Sequence, residues 1–263
     1  MIRVCAVLPL CDQSLDASPV LTVQSLTLSP LASQFLCSSA ARLARRRFLR
    51  TGFAGLLAIA LTRADRAAAD ETQMEATMGK RFGAKGVAAL KDWRQLIVGL
   101  RGLPESEQLA RINDYFNRRI RFADDQEVWG QVDYWATPLE TLGQGAGDCE
   151  DFTIAKYFSL RELGVDPRKL RLIYVRARIG GATSSVTQAH MVLGYYATPD
   201  AEPLVLDNLL GEIRPAGRRP DLTPVFSFNS EGVYAGSAVS PIERISRWKD
   251  LLIRMKGEGY LPQ

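Results

Sequence analysis

The hydrophobic period of this chain changes once, near residue 169, and that change limits the folds open to it. Before it, residues 84–100 place Val87, Leu90, Trp93, Leu96 and Ile97 at helical spacing. After the breakers Gly102 and Pro104, residues 104–120 carry Leu109, Ile112, Phe116 and Ile120 on one stripe. Residues 121–137 have no period and read as loop. A short helix is predicted over 138–142, since Pro138 is tolerated in a first turn. Gly143, Gly145 and Gly147 read as a flexible approach to Asp148, and residues 149–163 as a further helix closed by Gly164 and Pro167. From residue 169 onward, 169–179, 189–196 and 203–209 are rich in Leu, Ile, Val and Tyr and separated by turn residues, which predicts antiparallel strands. Residues 223–228 and 232–235 are shorter strand candidates around Asn229-Ser230. Residues 241–256 close the chain as an amphipathic helix with Ile242, Ile245, Trp248, Leu252 and Ile253. Helices first and strands afterwards predict an α+β fold with N-terminal helices packed on an antiparallel sheet.

This domain is preceded by a leader. Ala44-Arg45-Arg46-Arg47-Phe48-Leu49-Arg50 has the form of a twin-arginine export motif. Residues 51–61 follow as an apolar, uncharged stretch, short for a bilayer span, and Ala67-Ala68-Ala69 offers the small residues of a cleavage site. A short N-terminal membrane anchor is the competing reading. The expected organisation is a leader over 1–69 and a mature domain over 70–263, periplasmic and without stable membrane insertion after cleavage. Residues 1–40 precede the signal, so translation is expected to start downstream of Met1.

With 46% hydrophobic and 24% charged residues, the 263-residue chain is neither disordered nor a polytopic membrane protein. Its net charge of +4 sits in the leader, where eight Arg face three Asp with no Lys or Glu, and the mature part is close to neutral. Nucleic-acid binding therefore loses its electrostatic support. Cys5, Cys11 and Cys37 also lie in the leader, leaving Cys149 and the single histidine, His190, afterwards; a Cys/His zinc cage is excluded there.

Cys149 opens a predicted helix after a glycine-rich stretch, where unpaired N–H groups and the helix dipole stabilise a thiolate and can hold an oxyanion. The alternative is a buried structural cysteine. A nucleophilic thiol needs a base, and His190 is the only imidazole. Val205 and Asp207 alternate with Leu204 and Leu206 on the next strand. A hairpin with its mirror point between Thr198 and Pro199 would set His190 beside Asp207, about 5 Å apart at Cβ. Asp207 would then orient the imidazole while its other nitrogen meets Cys149. A surface histidine and an Asp-Asn turn are the plainer reading. Asp148, Glu150 and Asp151 crowd the thiol and raise its pKa. They either cap the helix, with Asp148 as N-cap, or hold a hard cation such as calcium; spacing alone favours capping. The Cys149 N–H would be one oxyanion donor, with Trp135 or Gln144 as candidates for the second.

Gly147-Asp148-Cys149-Glu150-Asp151, His190-Met191-Val192-Leu193 and Leu206-Asp207-Asn208-Leu209 resemble the bacterial transglutaminase-like cysteine proteinases, as do Trp135-Ala136-Thr137-Pro138-Leu139-Glu140 and Ser227-Phe228-Asn229. The likeness covers residues 80–255. It implies a papain-like, transglutaminase-type fold with Cys149, His190 and Asp207 as a triad, and calcium dependence with Asp148, Glu150 and Asp151 among the ligands. The implied substrate is a large surface adhesin whose cleavage controls biofilm attachment, and the implied partner is an inner-membrane cyclic-di-GMP receptor that sequesters the protease. The twin-arginine leader is not something the resemblance predicts. A transglutaminase or amidase, transferring the acyl group to an amine, and a non-catalytic calcium-dependent binding module are the other readings of these residues.

Overall fold

The computed structural model describes residues 41–236 and 238–260, with side chains from residue 70 onward. The expected start-site anomaly over 1–40 lies outside the described residues, and of the expected signal segment only the helical backbone from 41 is described. The chain divides into two compact units, and the one that includes Ala68–Gln263 holds every side chain discussed below. Among the described residues no helix is long and apolar enough to cross a membrane.

Helix α1 (Ala41–Leu100) is interrupted at Gly83, where φ is 63°. Its last part buries Leu90, Trp93 and Ile97 as the spacing predicts. Helix α2 (Glu105–Arg119) carries Glu105 and Glu107 in its first turn and Arg118 and Arg119 in its last, each sign matched to the helix dipole, and buries Leu109, Ile112 and Phe116.

The segment read as featureless loop is partly ordered. Arg121–Phe122 (β1) pairs in parallel with Ala146–Gly147 (β2), and Asp125–Val128 (α3) makes one helical turn between them. Two of the three glycines expected to be flexible, Gly145 and Gly147, are thus pinned, their carbonyls accepting from Arg121 N and Ala123 N at 3.0 Å. These bonds link residues far apart in sequence, which is why no local pattern announces them. Helix α4 (Pro138–Gln144) is set by a capping box: Thr137 Oγ1 accepts from Glu140 N at 3.1 Å, and Glu140 Oε2 accepts from Thr137 N at 2.8 Å. It ends at Gly145, whose φ of 70° favours glycine.

Helix α5 (Cys149–Glu162) is buried from Cys149 to Leu160. It is covered nearly all round, polar residues included, because α2, α4, β3 and β4 all pack against it.

Strands β3 (Leu170–Arg178), β4 (Thr187–Tyr195), β5 (Leu204–Leu206), β6 (Arg214–Pro215), β7 (Leu222–Phe228), β8 (Val233–Ala235) and β9 (Ala238–Ser240) form one antiparallel sheet in the order β6-β5-β4-β3-β7-β8-β9. Leu170, Leu172, Met191, Leu193, Leu206 and Phe228 join the large core shared with the helices, and Ile173, Val175, Val192 and Val205 form a smaller cluster. That separation follows from the two-residue alternation of strands. Strands β6 and β9 were not anticipated; two and three residues are too few to show a period. The closing helix divides into a 3₁₀ turn at Ile242–Arg244 and α6 (Ser246–Gly257), which buries Trp248, Leu251 and Met255.

Candidate active site

Cys149 is the first residue of α5, and its 2% exposure places it inside the protein. Asp148 caps that helix, its carboxylate accepting from Glu150 N at 3.2 Å, as the capping argument expects. The Cys149 N–H belongs to the first turn of α5, at the positive end of the helix dipole, so it suits an oxyanion donor. The thiol donates to Glu150 Oε2 at 2.7 Å.

His190 and Asp207 meet. His190 Nε2 lies 2.8 Å from Asp207 Oδ1, with side chains 4% and 0% exposed. The register that brings them together differs from the expected one. Leu193 pairs with Leu206 and Gly194 with Val205, so the mirror point falls between Pro199 and Asp200. Continued one step, this pairing sets Asp207 opposite Val192, with His190 diagonal to it. The offset of two residues keeps both side chains on one face, because strand side chains alternate with a period of two. β5 also stops at Leu206, short of the expected 203–209, and Leu209 is exposed.

One face of α5 turns toward this pair. Cys149, Thr153 and Lys156 share that face at helical spacing. Thr153 Oγ1 donates to Met191 O, next to His190, at 3.1 Å. Lys156, 1% exposed, is electrostatically coupled to Asp207; burial draws its ammonium down to about 7, against the pull of that carboxylate. Burial pushes Asp207 up, but the hydrogen bond and charge of His190, the N–H of Leu209 and the Arg219 guanidinium together hold it below the usual carboxylate range.

The acidic residues divide into two groups. Asp148 and Glu150 cluster with the Cys149 sulfur, whereas Asp148 and Asp151 cluster with Asp125, a residue of α3 that sequence reasoning missed; in each group one ligand atom per residue lies within 4.8 Å of the others. Asp125 Oδ1 and Asp151 Oδ2 are buried with no hydrogen-bond partner among the described residues. The opposite oxygens are held: Asp151 Oδ1 accepts from Ala136 N at 2.7 Å, and Asp125 Oδ2 from Tyr134 N. A Cβ at Gly147 would sit 2.5 Å from Asp151 Oδ2, so only glycine leaves this oxygen its place. Burial is the largest cause for all three: with repulsion from Asp133 and Asp124 it pushes Asp125 up to about 6, and with repulsion from the neighbouring site carboxylates it pushes Asp148 up to about 10 and Asp151 well above the usual range. Hard oxygen donors, orphaned buried oxygens and unrelieved repulsion are the features a calcium-type dication satisfies, so this donor set fits one.

The 133–137 segment, which supplies the Tyr134 and Ala136 N–H groups, is clamped from outside. Arg254 donates to Trp135 O, to Tyr134 Oη at 2.8 Å and to Glu140, while Arg81 bridges Glu140 at 2.6 Å and Glu258 at 2.7 Å. Of the two candidates for the second oxyanion donor, Trp135 stacks on Phe228, ring centroids 5.7 Å apart, and Gln144 is exposed at the end of α4.

Residues 102–220 match the model of the bacterial transglutaminase-like cysteine proteinases. LapG of Legionella pneumophila is similar over most of its length. The EGTA-treated structure is 35% identical, covers 71% of this chain and 97% of its own, and superposes with a TM-score of 0.62. The calcium-bound structure is 36% identical, covers 69% and 97%, and gives 0.59. No curated protein matches at comparable stringency. The α+β arrangement is thus the transglutaminase-like cysteine proteinase fold, and the chain belongs to the bacterial transglutaminase-like cysteine proteinase family.

Proposed function

We propose that the protein is an exported, periplasmic, calcium-dependent cysteine endopeptidase in which Cys149, His190 and Asp207 form the triad. The buried His190–Asp207 hydrogen bond at 2.8 Å, beside the α5 face that begins with Cys149, is the observation that carries this reading. With Nε2–H donated to Asp207, the imidazole has its Nδ1 lone pair to take the thiol proton. The Cys149 sulfur then attacks the peptide carbonyl, and the Cys149 N–H donates to the developing oxyanion. The imidazolium returns the proton to the leaving amine, and water, deprotonated by His190, releases the acyl group.

Asp125, Asp148 and Asp151 are the residues that would hold the cation, with Glu150 adjoining through Asp148. A bound calcium ion would supply positive charge that offsets the carboxylates crowding the thiol. The calcium-bound form of LapG supports this assignment. By the same kinship, the proposed substrate is a large surface adhesin whose release controls biofilm attachment, and the proposed regulator is an inner-membrane cyclic-di-GMP receptor.

The test incubates the mature protein with the N-terminal region of a large adhesin from the same genome, with and without calcium. Cleavage is expected only with calcium, and Cys149→Ala is expected to abolish it while leaving the circular dichroism spectrum unchanged. Retained cleavage by that variant would remove the triad. Incorporation of a primary amine instead of hydrolysis would move the assignment to acyl transfer.

A further inference from the structure

Asp207 is 1% exposed, in surroundings where an unpaired carboxylate is costly to keep ionised. Its Oδ1 lies 2.8 Å from His190 Nε2 and accepts from Leu209 N at 3.0 Å. Its other oxygen, Oδ2, accepts from Arg219 Nη2 at 2.7 Å. Arg219 is itself 4% exposed, and it also grips Asp221 through Nε at 3.0 Å and Nη2 at 2.7 Å. We propose that Arg219 is a positioning residue of the proteolytic centre: it keeps Asp207 ionised with Oδ1 turned to the imidazole, and so holds His190 in the tautomer that can accept the thiol proton. This rests on the triad reading above and adds to it a residue outside the triad.

The reason lies in what a neutral Asp207 would do. A protonated carboxyl donates rather than accepts, and a proton offered to Nε2 would leave the ring hydrogen on Nδ1. Nδ1 would then have no lone pair for the thiol. Some cation must therefore balance Asp207 across the working pH range. The charged and titratable groups facing it are His190 from β4, Lys156 from α5, and Arg219 with Asp221 from the strand-connecting segment. His190 is neutral when it acts as base. Burial draws the Lys156 ammonium down to about 7, so its charge is not held across that range. The guanidinium stays charged throughout, and its planar fork reaches two carboxylates at once, which an ammonium point charge does not reproduce. Stability alone does not call for such a pair, since well-packed apolar residues often replace a buried ion pair without loss.

Because the chain has a single histidine, its ring nitrogens report without ambiguity. The test records 15N imidazole spectra across pH on the Cys149→Ala protein, with and without Arg219→Met or Arg219→Lys. It also measures kcat and KM on the adhesin fragment with Cys149 intact. The Nε2–H tautomer is expected to dominate in the parent and to give way to Nδ1–H in Arg219→Met. With it, kcat should fall about 10- to 100-fold at little change in KM, the range typical when a supporting partner of a functional side chain is lost. Arg219→Lys should recover part of both. A folded Arg219→Met protein that keeps the Nε2–H tautomer, or that changes KM alone, overturns the proposal. Should Arg219→Met fail to fold, Asp221→Asn, which loosens the guanidinium from its other side, carries the test. A tautomer shift in that variant supports the role and an unchanged tautomer refutes it. Proteolysis surviving Cys149→Ala would instead remove the triad and leave the Arg219–imidazole coupling to be judged by the spectra alone.

Discussion

Replacing Asp125 by Asn should stabilise the metal-stripped protein and destabilise the calcium-loaded one. Burial and the neighbouring Asp133 and Asp124 charges outweigh the Tyr134 N–H and Arg247 and move Asp125 from 3.8 up to about 6 in the folded state. Between those values the folded protein binds a proton that the unfolded chain has released, so this group's stabilising contribution is lost as pH rises. A move from 3.8 to about 6 corresponds to about 3 kcal/mol of stability lost in full above pH 6. Asparagine has nearly the same shape, can still accept from Tyr134 N, and does not ionise. In a domain of this size about 3 kcal/mol is a shift of about 6–12 °C in melting temperature. Asp148 and Asp151 are also raised and push the same way, so the direction is common to the cluster.

The assay is thermal unfolding of wild type and Asp125→Asn, stripped on a chelating resin, at pH 5, 6, 7 and 8, with and without 1,000 Kd of calcium. Glu258, raised to about 7, and Lys156, lowered to about 7 and acting with the opposite sign, titrate in both proteins and cancel in the difference. The stripped variant should melt higher, by a margin that grows from pH 5 to 7 and then levels. Saturating calcium should add about 4 kcal/mol to wild type and reverse the order. A stripped variant that melts lower than wild type at pH 7, or gains as much from calcium, would refute the argument that this carboxylate is held for a cation.

Two further changes probe the scaffold around the site. Glu140→Ala removes a 1% exposed carboxylate that joins Arg81, Arg254, Tyr134 and the Thr137 capping box, and should cost about 2–4 kcal/mol in urea unfolding, discounted for the partial exposure of both arginines. Gly147→Ala drives a methyl group to 2.5 Å from Asp151 Oδ2; it should cost about 1–3 kcal/mol and blunt the calcium-induced rise in melting temperature. An unaltered calcium response in that variant would place the cation elsewhere.

The order of helices and strands was legible in the chain because amphipathic period is a local property. α2, α5, β3, β4 and β7 fall within a few residues of their expected limits. So was the pairing of His190 with Asp207, although through a register displaced by two residues; the alternation of strand side chains made the expectation tolerant of that error. Asp148 as helix cap was equally local.

Residue identity and local pattern were enough to name the groups able to do chemistry: one thiol at a helix start, one imidazole on a strand, and carboxylates beside both. Tertiary structure alone decided what surrounds them. Asp125 lies in a stretch with no period and reaches Asp148 and Asp151 because β1 pairs with β2. Arg219 reaches Asp207 across a loop, and Arg81 and Arg254, far apart along the chain, converge on Glu140. These side chains act through charge and hydrogen bonds at about 3 Å, forces that depend on distance in space and leave no mark on spacing along the chain.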